Sequence, residues 1–203
     1  RLADRKGRSL AVPGRYGESW LAVQVALQTA GLTEKDVKIV EVGYTQVAAL
    51  TTGKVDAVIG FSTNELVQLR AGGAQPRALP VADGTVPLVS TCLLTSAAYA
   101  KANPAVVRGV VAALARSIEK TAADESRAID LAAAQIPGWT ESGRPNAEAV
   151  LAATLQLMSL TSGRFDPSLN PDQWQAMATF LESSKLIKSP VPAAEAFSND
   201  FAK

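Results

Sequence analysis

The sequence predicts an α/β sheet followed by a helical region, and three observations carry that reading. Short apolar runs alternate with amphipathic ones over about the first 94 residues, as strands and helices do in a parallel sheet. Each of the first three apolar runs ends in aromatic or polar groups. After about Thr95 the apolar runs give way to helical periodicity, which continues nearly to the end. The expected domains are therefore 1–94, an α/β lobe, and 95–203, a helical region.

Each element has a local reason. Residues 9–12 are a short apolar run that reads as a buried strand. Residues 18–30 place Trp20, Val23, Leu27 and Ala30 on one helical face, and Gly31 sits where a helix takes its terminating glycine. Residues 37–42 are strand-like. Residues 45–52 form a short helix stopped by Gly53. Residues 55–61 read as a third buried strand, and residues 64–71 as a helix ending at Gly72-Gly73. Two further strands are expected over 78–82 and 89–94. Asn103-Pro104 predicts a capped helix start with proline in the first turn. That helix carries Val107, Val110, Val111, Leu114 and Ile118 on one face. Helices are expected over about 124–135 and 147–160. A second Asn-Pro pair at 170–171 opens another, with Trp174, Met177, Ala178 and Leu181 at helical spacing. The tail from Ser189 reads as loop with one last helical turn.

Composition narrows the chemistry. The 203 residues carry a net charge of +1, so bulk charge marks no polyanion partner, and no nucleic acid is expected. No window approaches the roughly 18 apolar residues of a membrane span. Arg1 opens in a polar stretch without Met, so the sequence reads as lacking a secretory signal and as a processed form or fragment. With no histidine, the chain supplies neither a Ser–His–Asp triad nor the usual histidine metal ligands. The single Cys92 lies in the apolar run VSTCLLT and is expected to be a buried, inert thiol. Neither a catalytic residue nor a metal or cofactor is expected.

Ligands of open parallel sheets bind at the carboxyl ends of the strands. The candidates there begin with the loop GRYGES, residues Gly14, Arg15, Tyr16, Gly17, Glu18 and Ser19. It precedes a helix start, where free N–H groups and the dipole hold polar or anionic groups. Gly14 and Gly17 would permit close backbone approach. A plain strand-to-helix turn explains the loop equally well. The pattern of a phosphate-binding P-loop is absent. Arg15 could pair with a carboxylate or phosphate, or simply be solvated. Tyr16 and Trp20 are candidate stacking faces for a flat ring, although Trp20 lies on the apolar helix face and is expected in the core. Tyr44 follows Gly43 at a strand end, where a ring faces the cleft or simply the solvent. Asn64 and Glu65 could exchange hydrogen bonds with an amino-substituted ring, although Glu65 in a first helical turn also complements the dipole. Lys54 and Asp56 mark a turn into a strand.

Beyond these local signals, the ordered segments DRKGRSLAVPGRYGES, VEVGYTQVAALTTGKVDAVIGF, STNE, YAKANPAVVRGVV and LNPDQWQAMATFLESSKLI resemble a family of bacterial solute-binding proteins. It is the thiamine-pyrimidine-precursor branch of the ABC-transporter binding proteins, with nitrate, sulfonate and riboflavin binders and the yeast thiamine-pyrimidine synthase. The resemblance implies a type II periplasmic-binding fold, with a ligand clamped between two lobes. This chain would supply the second lobe and the helices that follow, without the first lobe's N-terminal strands. Those helices would then pack differently, against another chain for example, with self-association of the truncated chain one outcome. The implied function is capture of a small nitrogen-containing aromatic solute, such as a thiamine pyrimidine precursor or flavin. The implied partners are that ligand and the ABC permease subunits in the membrane. The implied location is extracytoplasmic, lipid-anchored in the full-length form. Residues 14–19, Tyr44, Asn64 and Glu65 become the ligand-facing set, with Arg15 the place to look for specificity. Two alternatives share the fold. One is the synthase, which uses a histidine and a cysteine-rich stretch not seen here. The other is a LysR-type effector domain, whose alternating strands the later helices do not match.

Overall fold

A computed structural model describes residues 1–81, 88–89, 91–158 and 160–202. The chain divides into two compact units, Arg1–Leu88 and Val89–Lys203.

The first unit is built on a three-stranded parallel sheet in the order β2-β1-β3. The strands are β1 (Ser9–Val12), β2 (Lys38–Glu41) and β3 (Ala57–Val58). Ser9 to Val12 of β1 align with Lys38 to Glu41 of β2, and Leu10 and Ala11 align with Ala57 and Val58 of β3. The central strand is buried on both faces, with Ala11 and Val12 fully covered. The side-chain period of two sends alternate residues to opposite faces and so makes two cores. Val12 joins Val23, Leu27, Val37 and Ile59 on one face. Ala11 joins Ala49 and Val55 on the other.

Three helices complete this unit: α1 (Gly17–Thr29), α2 (Gln46–Thr51) and α3 (Glu65–Ala71). The glycine stops work as expected. Gly31 has φ +65° and Gly53 φ +71°, and in both the left-handed turn follows the helix end. Asp56 ties β3 to β1. Its carboxylate accepts from the backbone N–H and the hydroxyl of Ser9, at 2.8 and 2.7 Å. That fits its reading as a residue at a strand entrance.

Three expectations fail here. The third strand, expected over 55–61, is only two residues long, because β1 is short and β3 lies at the sheet edge. The backbone of 78–81 is unpaired among the described residues, and Ala82 lies outside them. Pro80 removes a ladder donor there. Val89 and residues 91–94 likewise form no strand, Ser90 being outside the described residues; Leu94 is 88% exposed. An apolar run becomes a strand only where another strand pairs with it.

The second unit is helical: α4 (Ala97–Ala102), α5 (Pro104–Ala123), α6 (Glu125–Ala133), α7 (Arg144–Leu157), α8 (Pro171–Ser183) and α9 (Ala193–Ala196). Pro104 and Pro171 occupy first turns as expected. Asn170 caps α8, accepting from the N–H groups of Asp172 and Gln173 at 2.9 and 3.3 Å. Asn103 does not cap α5. Its amide donates to the Tyr99 carbonyl at 3.3 Å, the same carbonyl its own backbone N–H bonds at 2.8 Å where α4 ends. The expected α5 face is also only partly used. Val107, Val111 and Ile118 are half-buried, while Val110 and Leu114 are exposed. Cys92 is half-buried rather than buried.

The tail is anchored by side chains. Trp174 stacks on Phe197, with ring centroids 5.3 Å apart. Asn199 both donates to and accepts from the backbone of Leu169, each at 2.8 Å. Arg108 donates to the Asp200 carbonyl at 3.1 Å and lies over the Phe201 ring.

Candidate functional site at the strand ends

The carboxyl ends of β1, β2 and β3 lead into the starts of α1, α2 and α3. Two of these loops are zipped together by backbone. Val42 N–H donates to Val12 at 2.9 Å, and Gly43 N–H donates to Pro13 at 3.1 Å. Gly43, at φ +60°, makes the turn that puts Tyr44 beyond the strand end. The hydroxyl of Thr45 donates to Val42 O at 2.7 Å and fixes the start of α2.

Three exposed aromatic rings stand at these ends: Tyr16 after β1, Tyr44 after β2 and Phe61 after β3, at 57%, 83% and 44% exposure. They are all the exposed large hydrophobic side chains described in this unit. The phenol of Tyr44, hydrogen-bonding that of Tyr16, pushes the Tyr16 phenol up, with Glu41 adding to the shift. Tyr16 and Tyr44 thus neighbour each other. Phe61 was missed, because it ends an apolar run and reads as one more strand residue. Its signal was its place: an aromatic following Gly60 at the end of a strand.

Gly14 has a specific task. A Cβ there would fall 2.3 Å from Cε1 of Tyr16, so only glycine lets this ring fold back over the loop. Gly17 has φ +65° at the first residue of α1, where Tyr16 is the N-cap without a side-chain cap bond. The polar caps available to a plain turn, Ser19 and Glu18, lie inside the helix instead. Trp20 is half-buried against the first core, as its helix face predicts.

Arg15 is neither solvated alone nor free. It bonds the Glu34 carboxylate through Nη1 and Glu41 through Nε, the latter at 3.3 Å. Its guanidinium also lies 4.8 Å over the Trp20 ring. Chiefly its hydrogen bond to the Glu34 carboxylate holds the Arg15 guanidinium above its ordinary range. Gln24 donates to the other Glu34 oxygen at 3.0 Å, so the pair belongs to a network.

Glu65 is also engaged. It accepts from Phe61 N–H at 2.7 Å and from the Asn64 amide at 2.9 Å. Asn64 in turn accepts from Gln68 at 2.6 Å. Gly60 makes room for this, since a Cβ there would lie 2.9 Å from that of Glu65. A cavity of about 650 Å³ runs beside β3, with Leu10, Leu27, Ile59, Phe61 and Glu65 among its walls. Among the described residues no cluster of three metal-ligating side chains occurs, and no helix is long and apolar enough to cross a membrane.

The sheet, its flanking helices and the helical region that follows are the α/β architecture of type II periplasmic-binding proteins, matched in part. The alkanesulfonate-binding protein SsuA from Xanthomonas axonopodis pv. citri, bound to MOPS, superposes with a TM-score of 0.66 at 23% identity. That match covers 96% of this chain and 64% of that one. The periplasmic aliphatic sulphonate binding protein SsuA from Escherichia coli gives a TM-score of 0.67 at 21% identity, over 97% of this chain and 60% of that one. Residues 1–128 match the family model described as NMT1/THI5 like, and the chain belongs to that family. A curated relative, riboflavin-binding protein RibY of Chloroflexus aurantiacus, is 33% identical over 98% of this chain and 57% of its own length. The chain thus spans a little over half the length of that relative.

Proposed function

We propose that this chain belongs to the solute-binding component of an ABC importer and that its strand ends grip a small nitrogen-containing aromatic ring. A flavin is the first candidate and a thiamine pyrimidine precursor the second. The observation that carries this reading is the trio of exposed rings, Tyr16, Tyr44 and Phe61, one after each strand. Exposed aromatic faces are costly in water and suit stacking on a flat ligand. The 33% identity to a riboflavin-binding protein points the same way. In this reading residues 14–19, Tyr44, Phe61 and Asn64 face the ligand, and Glu65 shapes the loop that presents Phe61. The protein binds and releases its solute without chemistry, outside the cytoplasm, and hands it to membrane permease subunits. A lipid anchor in the full-length form is part of the proposal.

Calorimetric titration of the full-length parent with riboflavin, thiamine, an aminopyrimidine, nitrate and an alkanesulfonate tests the reading. Saturable binding of one ring compound is expected, with thermal stability rising with its concentration. Folded parent that binds none of the ring compounds would overturn it. Tyr44→Ala should weaken ring binding by about tenfold, the loss of roughly one stacked aromatic.

A further inference from the structure

We infer that this face is built to refuse small anions, so that the site takes an uncharged ring and excludes sulfonates and phosphorylated forms of the same ring. The inference rests on the solute-binding reading above and adds its charge selectivity. Arg15 is the sole cation in the three strand-end segments 13–19, 42–45 and 60–65. A cation strengthens anion binding most when its charge is not already matched. Here Glu34 and Glu41 both hold Arg15, and Trp20 covers its face. The three charges sum to −1, so an anion meets net repulsion where a lone arginine would attract it. Gln24 keeps Glu34 in place, which makes the arrangement more than a wandering surface pair.

Two of the three helix starts at these strand ends also carry an acid. The α1 N-terminus, without a side-chain cap, carries Glu18 in its first turn. The α3 N-terminus carries Glu65, whose oxygens already accept two N–H groups. Two of the three positive helix ends, those of α1 and α3, therefore carry an acidic residue of this chain in their first turn, while α2 carries none. An uncharged ring with amide-like edges loses nothing to this field. Arg15 acts as a positioning residue: it holds the loop and Trp20 and lends no charge to the ligand.

The test uses the full-length parent and three probes: riboflavin, its 5′-phosphate and MOPS. The wild type should bind riboflavin at least tenfold more tightly than the phosphate and show no saturable binding of MOPS. Glu34→Gln combined with Glu41→Gln frees Arg15. This variant should gain at least tenfold for MOPS and for the phosphate, in a manner weakened by salt. Riboflavin affinity should move less than threefold. Adding Arg15→Met should erase the gain. Should the double variant fail to fold, Glu41→Gln alone should give a smaller gain in the same direction. Wild type that binds MOPS or the phosphate as tightly as riboflavin overturns the inference while leaving the solute-binding reading intact. A folded double variant without any gain also overturns it. Failure of riboflavin alone counts against the flavin reading, and the MOPS arm still decides the charge selectivity.

Discussion

The two units bury their apolar side chains in opposite proportions. Among the described residues of Arg1–Leu88 ten apolar residues are buried, from Ala11 to Leu69, and three large ones are exposed. Among the described residues of Val89–Lys203 four are buried, Ala115, Ile129, Phe180 and Ala193, while ten large ones are exposed. The α/β unit closes a core on both faces of β1, so its exposed rings stand out as the exception on which the proposed site rests. The helical unit is held more by polar staples and tail anchors than by a deep core. An exposed leucine there says little about function.

This contrast can be broken by mutation, and the sharpest break is in the α/β core. Leu27→Ala should cost about 2–5 kcal/mol in chemical denaturation, since Leu27 is 6% exposed. A cost under about 1 kcal/mol would mean that the unit's core is not the close-packed one described.

Gly60→Ala should come next, at about 1–3 kcal/mol. Its new methyl would press on the Cβ of Glu65, which sits too near its backbone to swing away. The Phe61 amide should then exchange faster, and ring binding should fall with it. Full retention of both would sever the proposed link between this glycine and the site.

In the helical unit, Asn199→Ala should cost about 1–3 kcal/mol by stranding both backbone groups of Leu169. Hydrogen exchange at Leu169 reads this directly, and unchanged protection would refute the anchor.

A fourth probe is acid. Hydrogen bonds from Ser9, the side chain's first, hold Asp56 below the ordinary carboxylate range. Its folded pKa is depressed, so its contribution is present above the unfolded value and is lost as pH falls through the folded one. Asp56→Asn should flatten the acid limb of stability against pH, and an unchanged limb would dismiss Asp56 as its source. The smallest effect belongs to Leu157→Ala, within about 0.5 kcal/mol, because Leu157 is 68% exposed. A large loss there would undo the contrast between the units.

Local signals were legible and distant ones were not. β1, α1 and the stop at Gly31 follow from neighbouring residues, and the structure has them within a residue or two. The two Asn-Pro pairs show where such logic ends. Asn170 caps, while the Asn103 side chain turns back to a carbonyl at the end of α4, a helix the periodicity did not predict. The strands expected at 78–82 and 89–94 needed partners that propensity does not supply. At the site, the loop ends were readable as strand-to-helix turns. The partners of Arg15 were not, since Glu34 and Glu41 lie 19 and 26 residues away in sequence. Nor could sequence tell that Glu65 spends its carboxylate on Phe61 and Asn64.

The contact between Arg15 and Trp20 also gives the protein an optical reporter. Trp20 lies 4.8 Å beneath the guanidinium that anchors the GRYGES loop, and its emission will follow any movement of that cation. Trp139 and Trp174 belong to the other unit. Replacing both with phenylalanine would leave a single indole beside the strand ends. A flavin docked there would absorb that indole's emission and quench it without any attached dye. Ligand arrival and loop motion would then be timed in one stopped-flow trace.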